Sequence, residues 1–281
     1  MQVFTLTKHL KSFLKSFSAS QNIGFVPTMG ALHNGHLSLV ENSIGNNDVT
    51  IVSIFVNPTQ FDKPEDLIKY PRDLQADLEL LESFHNNIVV FAPSPKMLYG
   101  EEIYSTVFDF GGVENEMEGA FRSGHFDGVG TVLSLFFEII HPTNAYFGEK
   151  DFQQLQIIKK LVEIKGYNID IIGCPIYREA NGLAYSSRNK RLSIKSKETC
   201  SFIYDTLKHA KTDFGIKSAK EITAIAAKAF EKHPLFDLEY FIIAETKSLK
   251  TAFEIKPNEK YRAFVATFVE GVRLIDNIAL N

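Results

Sequence analysis

Two imidazoles separated by two residues, in His33-Asn34-Gly35-His36, follow an apolar run (Ile23-Gly24-Phe25-Val26) and precede another (Leu37, Leu39, Val40, Ile44). The first run reads as a strand and the second as a helix. That order places both rings at a strand-to-helix turn, where unsatisfied backbone N–H groups and the helix dipole favour an anion. Gly30 and Gly35 let the backbone bend or approach a ligand closely. As an isolated motif, a pair of loop histidines is as often ordinary as functional. The strand–turn–helix setting turns the reading towards phosphate chemistry.

Other polar groups follow other strand-like runs. In Gly148-Glu149-Lys150-Asp151 the lysine is a compact charge suited to a phosphate, and Asp151 either accepts from ribose hydroxyls or caps the next helix. Asn57 and Gln60, around Pro58, offer uncharged amides that suit hydroxyl and carboxylate oxygens. Alone, that segment is a simple turn. Ser186-Ser187-Arg188 supplies hydroxyl and guanidinium donors able to close over a triphosphate, and Arg122 adds a loop cation. Taken singly, the first is a solvated linker and the second a surface arginine. The chain has no Gly-x-Ser-x-Gly, no Walker loop and no Gly-x-Gly-x-x-Gly. Phosphate binding then rests on His33, His36, Lys150 and the Ser-Ser-Arg loop, which points to nucleotidyl transfer at an α-phosphate.

The elements that must hold these groups follow from periodicity. Strands are expected over residues 23–26, 49–56, 88–91, 145–147 and 169–172, with helices over 37–45, 74–84, 126–140 and 152–165. This alternation predicts an α/β fold, a Rossmann-like parallel sheet with helices on both faces. Ligands of such sheets bind outside the carboxyl ends of the strands, where most of these motifs fall. After residue 175 the pattern becomes two helices (193–211, 218–232), two strands (238–243, 261–268) and a short apolar piece (272–275). The expected organisation is therefore a first domain of residues 1–175 and a smaller C-terminal α+β domain of 176–281.

With 44% hydrophobic residues, the 281-residue chain has material for such cores, and its net charge of -4 argues against non-specific nucleic-acid binding. No apolar run nears the roughly 20 residues that span a bilayer, and the N-terminus does not read as a signal peptide. Cys174 and Cys200 are too few for a disulfide framework or a zinc site. A cytoplasmic protein with free thiols and no membrane partner is the expectation.

His-x-Gly-His is shared with the nucleotidylyltransferases. An ordered set extends the likeness over nearly the whole chain: Pro27-Thr28-Met29-Gly30, Phe55-Val56-Asn57-Pro58-Thr59-Gln60-Phe61, Tyr70-Pro71-Arg72, His125-Phe126-Asp127-Gly128-Val129, Gly148-Glu149-Lys150-Asp151, Ser186-Ser187-Arg188-Asn189 and Arg273-Leu274-Ile275-Asp276-Asn277. Together these resemble the pantothenate synthetase (pantoate–β-alanine ligase) family. The resemblance implies ATP- and Mg²⁺-dependent adenylation of pantoate, then attack by β-alanine to give pantothenate and AMP. It also implies a homodimer, with an ATP- and pantoate-binding first domain and a C-terminal domain acting as a lid.

Carried over by position, His33, His36 and Lys150 would be catalytic. ATP would meet Met29, His33, His36, Gly148, Lys150, Asp151, Tyr177, Tyr185, Ser186, Ser187 and Arg188. Pantoate would meet Asn57, Gln60, Gln154 and Arg122. The chain departs from the family pattern at Tyr185 (usually Met) and Asn181 (usually Asp). After Tyr70-Pro71-Arg72 it carries only Asp73 and Asp77 where more acids are common, which leaves the metal ligands open. A relative acting on a phosphorylated substrate would need extra cations where Asn57, Gln60 and Gln154 stand. A nucleotide sensor would bind ATP without releasing AMP. A tRNA-handling relative would need an additional domain.

Overall fold

Six runs rich in β-branched and aromatic residues form strands β1 (Gln2–Phe4), β2 (Ile23–Thr28), β3 (Val49–Ile54), β4 (Ile88–Phe91), β5 (Asn144–Gly148) and β6 (Asp170–Cys174) in the computed structural model, which describes residues 1–18, 20–61 and 64–281. All pair in parallel, in the order β1-β4-β3-β2-β5-β6. Around them lie α1 (Thr7–Leu14), α2 (Asn34–Ile44), α3 (Pro64–Lys69), α4 (Leu74–Leu81), α5 (Pro95–Tyr99), α6 (Met117–Phe121), α7 (His125–Ile140) and α8 (Phe152–Lys165).

The central strands are apolar on both sides because helices cover both faces. Adjacent residues of β2 show this directly, since successive side chains of a strand point oppositely. Phe25 packs on Phe136 and Phe137 of α7, at ring separations of 5.6 and 6.2 Å. Val26 joins Leu39 and Val40 of α2 and Leu81 of α4 in the opposite core. From β2 the chain builds outward through β3 and β4, then returns to add β5 and β6 on the other side. The connection therefore reverses between β2 and β5, the kind of switch point at which α/β sheets form a ligand crevice.

The chain divides into two compact units, Met1–Glu149 with Gln153–Pro175, and Lys150–Phe152 with Ile176–Asn281. The second holds α9 (Ile194–Thr199), α10 (Ser201–Asp213) and α11 (Ala219–Glu231), and an antiparallel sheet of β7 (Asp237–Glu245), β8 (Tyr261–Val269) and β9 (Val272–Ala279) in that order. Ser218 and Glu221 form a reciprocal capping box at the start of α11. One face of β8 (Tyr261, Ala263, Val265) buries against Leu207 and Phe230 of the helices.

On the other face of β8, the Phe152 ring meets Phe264 at 5.9 Å and lies 4.1 Å beneath the Arg262 guanidinium. Asn277 also donates to the Lys150 carbonyl at 2.9 Å. These contacts explain why Lys150–Phe152, read from sequence within the first 175 residues, group with the second unit. The expected helix over 193–211 is interrupted at the fully buried Cys200. The apolar piece at 272–275 is the start of a full strand, whose pattern is masked by buried Asp276 and Asn277. Strand β1 and helix α1 had no expectation, β1 being three residues long. Among the described residues, no helix is long and apolar enough to cross a membrane.

Candidate active site

Strand β2 ends at Thr28, whose hydroxyl donates to the Ser53 carbonyl at 2.7 Å and accepts from the Gly30 N–H at 3.2 Å. The chain then turns through two left-handed residues, Gly30 (φ 79°) and Ala31 (φ 51°). The buried Asp77 carboxylate of α4 clamps this turn, accepting from Ala31 N–H at 3.1 Å and Leu32 N–H at 2.7 Å. A Cβ on Gly30 would stand 2.9 Å from that carboxylate, so glycine is required both for the conformation and for the approach.

His33 is the N-cap residue of α2 and remains extended, while its carbonyl accepts from the N–H groups of His36 and Leu37. The imidazoles stack with centroids 4.0 Å apart and planes 28° from parallel. Their Nδ1 atoms are shielded from solvent. The first turn of α2 carries no acidic side chain, so no carboxylate within that turn offsets the partial positive charge of the helix N-terminus.

Beyond β3, the short turn Pro58–Gln60 carries an amide network. Asn57 is 1% exposed and fully engaged. Its Oδ1 accepts from Tyr99 hydroxyl (2.6 Å), Thr59 hydroxyl (3.0 Å) and Thr59 N–H (3.3 Å), and its Nδ2 donates to Gln60 Oε1 and the Gly128 carbonyl, each at 3.1 Å. Gln60 Nε2 lies 2.9 Å from Met29 Sδ. The Gln60 carbonyl accepts from His125 Nδ1 at 2.8 Å and Arg122 Nη2 at 3.4 Å. Because a carbonyl can only accept, His125 carries its proton on Nδ1, leaving Nε2 to accept from Arg122 Nη1 at 3.1 Å.

The start of α7 rides directly on this turn. A Cβ on Gly128 would fall 2.3 Å from the Thr59 carbonyl oxygen and 2.7 Å from the Gln60 nitrogen. Glycine there is the condition for seating Gln60. Burial pushes the Tyr99 hydroxyl up to about 12, against the opposing hydrogen bond with Thr59. It therefore remains protonated and able to donate through the physiological range.

The two glutamines opening α8 have different duties. Gln153 is buried and fastens the preceding loop, donating to the Val113 and Glu116 carbonyls at 2.9 and 2.7 Å and accepting from Glu118 N–H at 3.0 Å. Gln154 is half-buried, and its amide makes no hydrogen bond among the described residues. Gly148 ends β5.

Within the second unit, Lys150, Ser186, Arg188, Asn189, Arg273 and Asp276 line one cleft. The Lys150 side chain is 16% exposed, with Asp151 Oδ1 3.7 Å from its Nζ. Asp276 is held by a forked pair of contacts from Arg178, at 2.6 and 2.9 Å. Arg178 also stacks 3.7 Å over the Tyr204 ring and donates to the Gly182 carbonyl at 2.9 Å. Burial raises the Asp276 carboxyl, opposed by the Arg178 guanidinium and the Asn277 N–H. Ser186 caps the turn Ser187–Arg191 by accepting from Arg188 N–H at 3.2 Å. The Arg188 side chain stays exposed, beside half-buried Ser187. The exposed Tyr177 and half-buried Tyr185 rings meet edge to face at 5.9 Å.

The sequence-selected residues thus gather in two places. Met29, Asn57, Gln60 and Arg122 share one hydrogen-bonded network in the first unit, where the His33–His36 pair also lies, and Lys150, Ser186 and Arg188 share a cleft in the second. Sequence reading gave no role to His125, Tyr99 or Arg178. His125 stood inside a family motif, whereas nothing near Tyr99 signals its role. Asp73 and Asp77 are structurally committed, Asp73 by capping α4 through Ala76 N–H at 3.0 Å. Among the described residues, no group of three or more His, Cys, Asp or Glu side chains could hold a metal ion.

Comparison with known proteins places this architecture. The family model described as Pantoate-beta-alanine ligase matches residues 2–279. The chain is 52% identical over 281 residues to a pantothenate synthetase of Flavobacterium psychrophilum, covering 100% of both chains. It is 53% identical over 282 residues to that of Christiangramia forsetii, again covering 100% of each. A crystal structure of the Thermus thermophilus enzyme superposes with a TM-score of 0.91 at 36% identity, covering 100% of this chain and 99% of that one. The Francisella tularensis ligase, crystallised with β-γ ATP and β-alanine, gives a TM-score of 0.80 at 38% identity over 100% and 98% of the two chains. With the family match spanning almost every residue, the chain belongs to the pantoate–β-alanine ligase family.

Proposed function

We propose that the protein condenses pantoate with β-alanine at the expense of ATP, through the residues described above. A pantoate carboxylate oxygen attacks the α-phosphorus of ATP, and the bond to pyrophosphate breaks. The β-alanine amine then attacks the carbonyl of the pantoyl adenylate, releasing AMP and pantothenate. The first step sets an anion against a polyanion, so cations and N–H donors must offset charge as pyrophosphate departs. His33 and His36 at the start of α2 are suited to that role, as are Lys150, Ser186, Ser187 and Arg188 at their cleft.

Gln60 and Gln154 can orient pantoate without adding charge, and Asn57 acts by holding Gln60. Arg122 has the same indirect part through the Gln60 carbonyl. Met29, Gly148, Asp151, Tyr177 and Tyr185 are assigned to the nucleotide. No enzyme nucleophile is required. The buried Cys174 and Cys200 do not supply one, because burial, reinforced by nearby glutamates, pushes each thiol up to about 11.

Mg²⁺, expected with ATP, finds no carboxylate cage among the described residues. The ion would be held mainly by the triphosphate and water, where it would offset phosphate charge. Residues 1–175 are proposed to bind ATP and pantoate, and residues 176–281 to act as the lid that protects the adenylate from water. A cytoplasmic homodimer is proposed from the family resemblance. Light scattering that returns a monomer mass overturns the dimer.

The observation that carries the reading is the coexistence of the imidazole pair with an uncharged amide network at the strand ends of a full-length family match. AMP release from ATP, with and without each substrate, tests it. Pyrophosphate should appear only with pantoate, and AMP should be released over many turnovers only when pantoate and β-alanine are both present. ATP binding without AMP release would instead indicate a nucleotide sensor. In the same assay Gln60→Ala and Gln154→Ala should each raise the pantoate KM roughly 10- to 100-fold, as expected for hydrogen bonds to a charged group. The ATP KM should stay nearly constant, and equal losses for both substrates would contradict the assignment.

A further inference from the structure

The donors and acceptors around Asn57 allow only one arrangement. The Thr59 N–H can only donate, so the Asn57 atom facing it is Oδ1. The Gly128 carbonyl can only accept, so the atom facing it is Nδ2. That same Nδ2 meets Gln60 at 3.1 Å, so Gln60 must turn Oε1 inward. Its Nε2 is left beside Met29 Sδ at 2.9 Å. Sulfur is a weak acceptor, readily replaced by a substrate oxygen. The shortest bond in this chain of contacts, 2.6 Å, is the one from the Tyr99 hydroxyl to Asn57 Oδ1. Tyr99 is itself buried and donates from the last residue of α5.

We infer that Tyr99 is a positioning residue for the substrate-holding glutamine: with the Thr59 N–H and the Gly128 carbonyl it holds the Asn57 amide, and through it the Gln60 amide, so that the site presents N–H donors to an oxygen of the acid substrate. The inference rests on the reading of Gln60 as a pantoate contact. Tyr99 touches no substrate, and its effect passes through two amides in series. A site set in this way recognises an acceptor oxygen and disfavours a donor, because the amide cannot rotate without opposing two N–H groups across Asn57 and Gln60.

Tyr99→Phe keeps the ring that packs beside Phe55 and Tyr104 and removes only the hydroxyl. The expected result is a pantoate KM raised about five- to tenfold, the loss of one well-formed hydrogen bond, with ATP KM and kcat within about twofold. In a Gln60→Ala background the same substitution should add almost nothing, since the relay then has no end. A purely structural role would lower the melting temperature and shift both substrates together. An unchanged pantoate KM in Tyr99→Phe, or the same rise in the Gln60→Ala background, overturns the relay. Should Gln60→Ala alone leave the pantoate KM unchanged, the pantoate reading itself falls and takes the relay with it.

Discussion

Replacing His36 with alanine should slow adenylate formation by on the order of 10²-fold or more, the usual effect of removing a donor aimed at developing charge. The fold should survive, because His36 sits in the first turn of α2 and alanine is the best helix former. The turn itself is held by Asp77 and the backbone of His33, neither of which the substitution touches. What disappears is one of two stacked imidazoles at a helix N-terminus that carries no acidic side chain. Pyrophosphate release in a single turnover reads the step directly. A variant with normal thermal unfolding and a rate within a few-fold of the parent would sink the phosphate-site assignment.

Lys150→Ala is expected to be similarly severe, with adenylation lowered on the order of 10²- to 10³-fold, because a desolvated cation on a phosphate is worth more than an exposed one. Lys150 is mostly buried, and its carbonyl is held by Asn277, so the ammonium is delivered to a defined place. Arg188, exposed on the same cleft, should cost less, about tenfold. Both losses should fall on the first half-reaction. After pyrophosphate leaves, the adenylate carries far less charge, so attack by β-alanine on preformed adenylate should slow much less. Rapid-quench measurement of the two half-reactions separates these outcomes. Equal slowing of both would show that the two cations serve general binding and not the departing triphosphate. Since both line one cleft in one unit, the double variant should fall short of the product of the single effects.

Much of this was legible in residue order. The runs that became β2 to β5 alternate with amphipathic helices, and the parallel sheet follows from that alternation. His33 and His36 were placed at a strand-to-helix turn by the residues on either side of them, and the turn lies there. The limits are equally physical. Strand β1 is three residues long, too short for a periodic signal. In β9 the buried Asp276 and Asn277 interrupt the apolar pattern, and their burial is tolerable only because Arg178 and Arg262 meet them from elsewhere in the second unit. Adjacent Gln153 and Gln154 are indistinguishable as letters. Only the packed loop of residues 113–118 decides that the first is structural and the second has its amide available.

By itself the sequence determined the family and the α/β class, and it supplied the residue types to which the chemistry is assigned in the proposed function. The class is written in local periodicity and the family in the resemblance of an ordered set of motifs, and neither needs a tertiary partner to be read. The tertiary structure alone decided which polar groups are spent on architecture. Asp77, an acid that sequence left open as a metal ligand, clamps a turn 45 residues away. Tyr99, in an unremarkable helix end, sets an amide 42 residues away. Lys150 follows a strand of one unit and belongs to the other. A hydrogen bond fixes its partners through distance and direction in space, and the path of the chain between them leaves no trace at either end.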